Sequence, residues 1–199
     1  MTIWIWCLCL VLAAVLGGVP FGRMLAHIFN NNYLADGTGN ISPLAWAKMG
    51  KWLQAGLAAA AEVGKVIAAM AAGWFATFDG TLAALCGLVA VIGHFYSPFA
   101  KGRPCRTTAP LMGLWLAAHI GLGLAMGLLW LAVYHHTRRP HAATLLCLLT
   151  APLIAMPAVS LPEMGAVLTA SMVGLWHFRR FIPTRLRWTE PPLPVTLPL

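Results

Sequence analysis

The stretch LMGLWLAAHIGLGLAMGLLWLAVY, residues 111–134, contains no acidic side chain, lysine or arginine, and it carries one histidine, His119. An α-helix needs about 20 consecutive, mainly apolar residues to cross the hydrocarbon core of a bilayer. Further apolar stretches lie at about residues 2–21, 54–78, 81–96 and 142–176. This repetition predicts a protein that crosses a membrane several times.

The composition of the whole chain also indicates a membrane protein. Of its 199 residues, 60% are hydrophobic and 9% are charged, and the mean hydropathy is +0.78. A soluble protein has about 25% charged residues, so this chain has too few polar side chains to cover a globule in water. We predict an all-α fold, a polytopic membrane helix bundle of about six to seven helices. We expect residues 1–185 to form a single transmembrane helical domain and residues 186–199 to form a Pro-rich tail.

Basic residues are concentrated in the polar segments between the apolar stretches. The chain has 13 Lys and Arg against 5 Asp and Glu, a formal net charge of +8. Short loops rich in Lys and Arg stay in the cytoplasm, so we expect the loops at 22–53 and 97–110 to lie there. Such cations suit anionic lipid headgroups or an anionic substrate. The sequence contains no base-reading module or aromatic-basic platform, so we expect no nucleic-acid partner.

The last apolar stretch, residues 142–176, contains three prolines. Proline interrupts the hydrogen bonds of a helix interior. The pattern therefore predicts either two short helices or one span with a re-entrant piece. Because the tail is basic, we favour an odd number of crossings, which keeps the tail in the cytoplasm.

Two charged residues interrupt the second apolar stretch. Glu62 and Lys65 are three residues apart and therefore share one face of a helix. Ionised groups within a membrane are costly unless they pair or face a polar cavity. The pair is either a mutual ion pair near a helix end or a functional pair that faces the polar loops. His119 is expected to be packed or hydrogen-bonded inside its helix.

Two polar loops have the composition of a binding site. The loop KGRPCRTT, residues 101–108, has three cations and two hydroxyls directly before a predicted helix N-terminus, where free N–H groups attract anions. This set suits a phosphate, although a loop that only contacts lipid headgroups has the same pattern. The glycines of DGTGN, residues 36–40, permit close backbone approach to a ligand. His135, His136 and His141 have no accompanying Cys or carboxylate, so we expect no metal site.

Several separated segments of the chain resemble the bacterial acyl-phosphate:glycerol-3-phosphate acyltransferases of the PlsY type. The family's first motif resembles GGVPFG at residues 17–22 and GTGNI at residues 37–41. Its next helix has an acidic residue and a lysine three apart, as Glu62 and Lys65 are here.

The second and third motifs of the family follow in the same order. The second resembles GHFYSPF at residues 93–99 together with KGRPCRT at residues 101–107. The third is represented by His177 and the basic run that ends at Arg187. The resemblance therefore covers most of the chain with similar spacing.

This resemblance implies a bundle of about seven helices in the bacterial cytoplasmic (inner) membrane, with the motif loops on the cytoplasmic side. It also implies transfer of a fatty acyl group from acyl phosphate to the 1-hydroxyl of glycerol 3-phosphate, a step of phospholipid biosynthesis that gives lysophosphatidic acid. The resemblance further implies that no metal or organic cofactor is needed. The expected partners are these two substrates and membrane lipids.

The resemblance also implies a set of site residues. We expect His177 and Lys101 to be catalytic, with His177 orienting or deprotonating the acceptor hydroxyl, as an imidazole can. The departing phosphate is an alternative acceptor of that proton. Lys101 and two arginines are expected to hold the phosphate groups. The predicted substrate-binding residues are Thr38, Asn40, Lys65, His94, Gly102, Arg103, Arg106, Thr107 and Arg180.

Some positions depart from the family's pattern. Gly18 stands in place of a serine, Pro104 removes an N–H donor from the Gly-rich stretch, and Arg180 stands in place of an asparagine. Two alternative functions are a degenerate, non-catalytic homologue that binds lipid or a partner, and a small transporter that uses Glu62 and Lys65. An acyltransferase predicts a lateral groove for an acyl chain, whereas a transporter predicts coupled flux.

Overall fold

The computed structural model describes residues 2–29, 41–100 and 108–179. These residues form α-helices and one 3₁₀ turn, and they contain no β-strand, so the predicted all-α fold is confirmed. The α-helices of the described residues are α1 (Thr2–Gly18), α2 (Phe21–Ile28), α3 (Pro43–Lys48), α4 (Trp52–Thr77), α5 (Gly80–Phe95), α6 (Ala109–Ala118), α7 (Ile120–Thr137), α8 (Pro140–Ala155) and α9 (Leu161–Phe178).

The loop expected at residues 22–53 contains two of these helices. Pro20 lies at the break between α1 and α2, and the two helices are bent by 49° at this point. A proline has no N–H to continue the hydrogen bonds of the preceding helix. Ser42 caps α3 by accepting a hydrogen bond from the Ala45 N–H at 3.1 Å. A small apolar cluster around the buried Trp46 packs α3 against α4.

The longest helix, α4, has 26 residues and is therefore about 39 Å long at 1.5 Å per residue. It ends where Phe78 adopts a left-handed conformation with φ 53°. Asp79 then caps α5 by accepting from the Thr81 N–H at 2.7 Å. A short turn at Phe78 and Asp79 therefore joins α4 to α5.

Small residues bring α1, α4, α5 and α6 into close contact. A Cβ placed on Gly93 of α5 would lie 2.5 Å from the carbonyl oxygen of Ala14 in α1. A Cβ on Gly113 of α6 would lie 2.5 Å from the carbonyl oxygen of Val63 in α4. Glycine at helix contacts lets backbones approach closely, which is the usual packing of membrane helices.

The apolar stretch 111–134 is not one helix, contrary to our expectation. His119 is extended, with φ −161° and ψ 126°, and it separates α6 from α7. The 10 residues of α6 span about 15 Å, half the thickness of a hydrocarbon core. At Gly123 a Cβ would lie 2.7 Å from the Cα of Leu116, so α6 and α7 contact each other directly beyond the break. His119 is exposed, and the expectation of a packed histidine was wrong.

The Pro-interrupted stretch 142–176 forms two helices, the first of the two alternatives. Pro140 and Pro162 lie in the first turns of α8 and α9, where a missing N–H costs no helical hydrogen bond. Between them, Glu163 accepts from the Ser160 N–H at 2.8 Å and completes a capping box. Pro152 lies within α8.

Two helices, α4 and α7, are long and apolar enough to cross a membrane, and α1 with α2 is a third candidate if the bent pair is one span.

Large apolar side chains cover much of the outer surface of the described residues. On α7 they repeat every three or four residues at Leu124, Leu128 and Leu131, which are 58–69% exposed. An exposed apolar stripe of this kind is suited to lipid and not to water.

Candidate active site

A buried polar centre lies where α1, α4 and α5 meet. One turn of α4 carries Glu62 and Lys65, and the last turn of α5 carries His94. Their side chains are almost inaccessible, with exposed fractions of 0%, 3% and 1%. Buried ionisable groups require partners of matching charge or hydrogen-bonding capacity, and each of these residues has a partner in the centre.

The ammonium group of Lys65 contacts three other groups in this centre. Its Nζ lies 2.6 Å from Oε2 of Glu62 and 2.9 Å from Nδ1 of His94. It also donates to the carbonyl oxygen of Val19 at 3.0 Å. An ammonium group has three N–H donors, and among the described residues these three atoms lie within reach of them. The predicted shared face of Glu62 and Lys65 is confirmed, and the pair lies within α4, not near its end.

The imidazole of His94 contacts both charged groups of the centre. Its Nδ1 lies 2.9 Å from Nζ of Lys65 and 3.3 Å from Oε2 of Glu62. Its Nε2 is buried, and among the described residues it has no hydrogen-bond partner. The centre therefore fixes the orientation of this ring at the last turn of α5.

His177 lies in the last turn of α9, next to the last turn of α5. Its ring stacks on Phe95, with ring centroids 4.6 Å apart and an interplanar angle of 12°. Tyr96 contacts the same imidazole edge-on at 5.6 Å. Although His177 is 83 positions after His94 in the chain, Phe95 links the two, because it follows His94 directly and packs against His177.

The first and second motif segments contact each other at the same end of the bundle. The hydroxyl of Ser97 donates to the carbonyl oxygen of Gly18. A Cβ placed on Gly18 would lie 3.4 Å from the ring of Phe99, so Phe99 covers this glycine. The segments GGVPFG and GHFYSPF, matched separately in the sequence, therefore pack against each other.

The described structure brings together three of the predicted site residues: Lys65, His94 and His177. The other predicted site residues lie outside the described residues and stay predictions. They are Thr38, Asn40, Lys101, Gly102, Arg103, Arg106, Thr107 and Arg180. The expected tail at 186–199 also lies outside. Within the ranges that the structure describes, no group of three or more His, Cys, Asp or Glu could hold a metal ion.

Three contributors to this candidate site were not predicted from the sequence. They are the carbonyl oxygen of Val19, the hydroxyl of Ser97 and the ring of Phe95. The sequence contained an indication for Val19, because it precedes a helix-breaking proline. The carbonyl of such a residue lies outside the regular helical hydrogen bonds and can accept from a side chain. No pattern along the chain indicated that Lys65 would reach it.

Comparison with known proteins identifies a family. The sequence model of the family described as Glycerol-3-phosphate acyltransferase matches residues 7–187. The glycerol-3-phosphate acyltransferase of Roseobacter denitrificans is 33% identical over 190 residues, which cover 91% of this chain and 90% of that protein. The protein of the same name from Nitrobacter winogradskyi is 31% identical over 169 residues, 83% of this chain and 84% of that protein.

Solved structures share the fold. The glycerol 3-phosphate form of PlsY (YgiH), an integral membrane glycerol 3-phosphate acyltransferase, matches with a TM-score of 0.77 at 18% identity and covers 89% of this chain and 90% of that chain. Its lysophosphatidic acid form also matches with a TM-score of 0.77 at 18% identity, over 89% of each chain. The family match over most of the sequence and the relatives at 31–33% identity confirm the resemblance. The chain belongs to the glycerol-3-phosphate acyltransferase family.

Proposed function

We propose that this protein transfers a fatty acyl group from acyl phosphate to the 1-hydroxyl of glycerol 3-phosphate and so forms lysophosphatidic acid. One observation carries the proposal: His177 is held against Phe95, beside the buried centre of Glu62, Lys65 and His94, in a chain of this family. Packing against aromatic rings positions this imidazole, and general acid–base catalysis requires a positioned group.

The proposed reaction is an acyl substitution. The 1-hydroxyl oxygen attacks the carbonyl carbon of the acyl phosphate, an ester bond forms, and the bond from that carbon to the phosphate oxygen breaks. Inorganic phosphate leaves, and His177 or the departing phosphate takes the hydroxyl proton. Lys101, Arg103 and Arg106 would stabilise the phosphate charges through fixed cations near the reacting atoms. Thr38 and Asn40 would bond a phosphate or the acyl carbonyl.

The proposed location is the bacterial cytoplasmic membrane, with several crossings and with the motif loops in the cytoplasm. The basic character of the segments at 97–110 and 177–187 supports this orientation. It would place the site where a water-soluble acceptor meets a donor whose acyl chain lies in lipid.

The contacts of Glu62 and Lys65 weaken the argument for the alternative function, a small transporter. It was suggested by charged residues within a span, but Glu62 and Lys65 pair with each other at 2.6 Å and are packed inside the bundle. A paired, buried arrangement of this kind has a structural explanation.

The activity is tested with the purified protein in detergent. Radiolabelled glycerol 3-phosphate is supplied with palmitoyl phosphate and, separately, with palmitoyl-CoA. We expect lysophosphatidic acid from the acyl phosphate alone. Product from palmitoyl-CoA alone would contradict the proposed donor. No product from either donor, with a protein shown to be folded, would contradict the proposed activity.

Replacing Phe95 by leucine should lower kcat about three- to tenfold and leave the fold intact. The substitution removes the aromatic stack on His177, which contributes about 0.5–1.5 kcal/mol beyond burial, while an apolar side chain of similar volume remains. Steady-state kinetics checks this result. The matched control is Phe75→Leu, since Phe75 is 70% exposed on α4. An unchanged kcat in Phe95→Leu would show that the stack does not position His177.

A further inference from the structure

We infer that Lys65 is a positioning residue that, with Glu62 and His94, braces the end of α1 against the last turn of α5 and thereby sets the position of His177. This assigns Lys65 a role different from the substrate-binding role expected from the sequence. Its kinetic consequences rest on the proposed acyltransferase function, but the brace itself can be tested without activity.

The first step of the inference is the set of partners around the ammonium group. Oε2 of Glu62, the carbonyl oxygen of Val19 and Nδ1 of His94 lie 2.6, 3.0 and 2.9 Å from Nζ of Lys65. Among the described residues these three acceptors give the ammonium group three contacts, as many as its N–H donors, and the carboxylate of Glu62 carries the opposite charge. These contacts direct the ammonium group of Lys65 towards α1 and α5, which is the arrangement that a positioning role requires.

The second step concerns what Lys65 holds on the side of α1. The carbonyl of Val19 lies at the break between α1 and α2, and it also accepts from the N–H of Phe21 at 3.2 Å. The bond from a charged donor is stronger than one between neutral groups. Lys65 therefore ties the middle of α4 to the point where the chain leaves α1 and enters the segment that contains Thr38 and Asn40.

The third step concerns what Lys65 holds on the side of α5. Its bond to Nδ1 of His94 fixes the imidazole at the last turn of that helix. The next residue, Phe95, is 1% exposed and stacks on His177. Because the interior is close-packed, a shift of this turn would move Phe95, and the imidazole of His177 would move with it.

The two possible roles of Lys65 predict different kinetics. A residue that binds glycerol 3-phosphate raises KM when it is removed, because ground-state binding is lost. A residue that positions the catalytic imidazole lowers kcat, because misplacement of a reacting group by about 1 Å can cost about 100-fold. The brace therefore predicts a large effect on kcat with little effect on KM.

The test uses Lys65→Met and the double variant Glu62→Gln/Lys65→Met. Methionine retains the length of the lysine side chain and removes its donors. The double variant also removes the charge of the buried carboxylate that pairs with Lys65, so that this pair is not broken on one side only. The matched control is Lys48→Met, since Lys48 is exposed. Steady-state kinetics with palmitoyl phosphate gives kcat and the KM for glycerol 3-phosphate, and hydrogen exchange gives the protection of Phe21–Ile28 and of Pro140–Ala155.

For the double variant we expect kcat to fall about 100-fold and the KM for glycerol 3-phosphate to stay within about threefold. Exchange should become faster in α2 and stay unchanged in α8. A KM raised about tenfold or more with kcat retained would overturn the inference and make Lys65 a substrate ligand. If the parent protein shows no transfer, the proposed function is wrong, and hydrogen exchange tests the role of Lys65 independently of activity. Faster exchange confined to α2 in the double variant would support the inference, and unchanged exchange in α2 would overturn it.

Discussion

Replacing His177 by alanine is expected to lower kcat for acyl transfer by about 10²–10⁴-fold, the usual contribution of a positioned acid–base group. The physical reason is that the imidazole packs against Phe95 and Tyr96, and this packing fixes the orientation of its ring. The measurement is the formation of lysophosphatidic acid from palmitoyl phosphate by the purified variant. Circular dichroism and size-exclusion chromatography show whether the variant is folded.

The control for this substitution is His119→Ala, which removes an exposed imidazole at the break between α6 and α7. It should retain the parent kcat. A folded His177→Ala protein with a loss of tenfold or less would favour the departing phosphate as the acceptor of the hydroxyl proton, with His177 only orienting the acceptor. Full activity in that variant would contradict any role of His177 in the reaction.

Replacing Gly17 by alanine should destabilise the bundle by about 1–3 kcal/mol or more and reduce the yield of folded protein. The added methyl group would overlap the carbonyl oxygen of Ala90 and would lie 2.6 Å from its Cα. Both are backbone atoms of α5, so no side-chain rotation relieves the contact, and α1 must move away from α5. Unfolding in detergent, followed by circular dichroism, measures the loss.

The matched control is Gly127→Ala in α7, where an added Cβ meets no atom within 4 Å. Alanine is a better helix former than glycine by about 1 kcal/mol, so this variant should be as stable as the parent or slightly more stable. Equal stability of Gly17→Ala and Gly127→Ala would show that α1 and α5 do not pack as closely as the structure describes.

The sequence predicted those parts of the fold that depend on local properties. Hydropathy predicted the all-α membrane bundle, and the spacing of Glu62 and Lys65 predicted their shared face. The order of the motif segments predicted the family. The break at His119 could not be predicted, because the apolar stretch continues through it and no proline marks it. The close contact of Gly123 with Leu116 arises only when α6 and α7 pack together.

By itself, then, the sequence determined that the chain is a membrane helix bundle of this family, because hydropathy and motif order are properties of the linear chain. Only the tertiary structure decided the partners of Lys65, which lie 46 residues before it at Val19 and 29 residues after it at His94. The same holds for the stacking of His177 on Phe95. Such contacts join separate helices, so they depend on how the helices pack, and no periodicity within one helix encodes them.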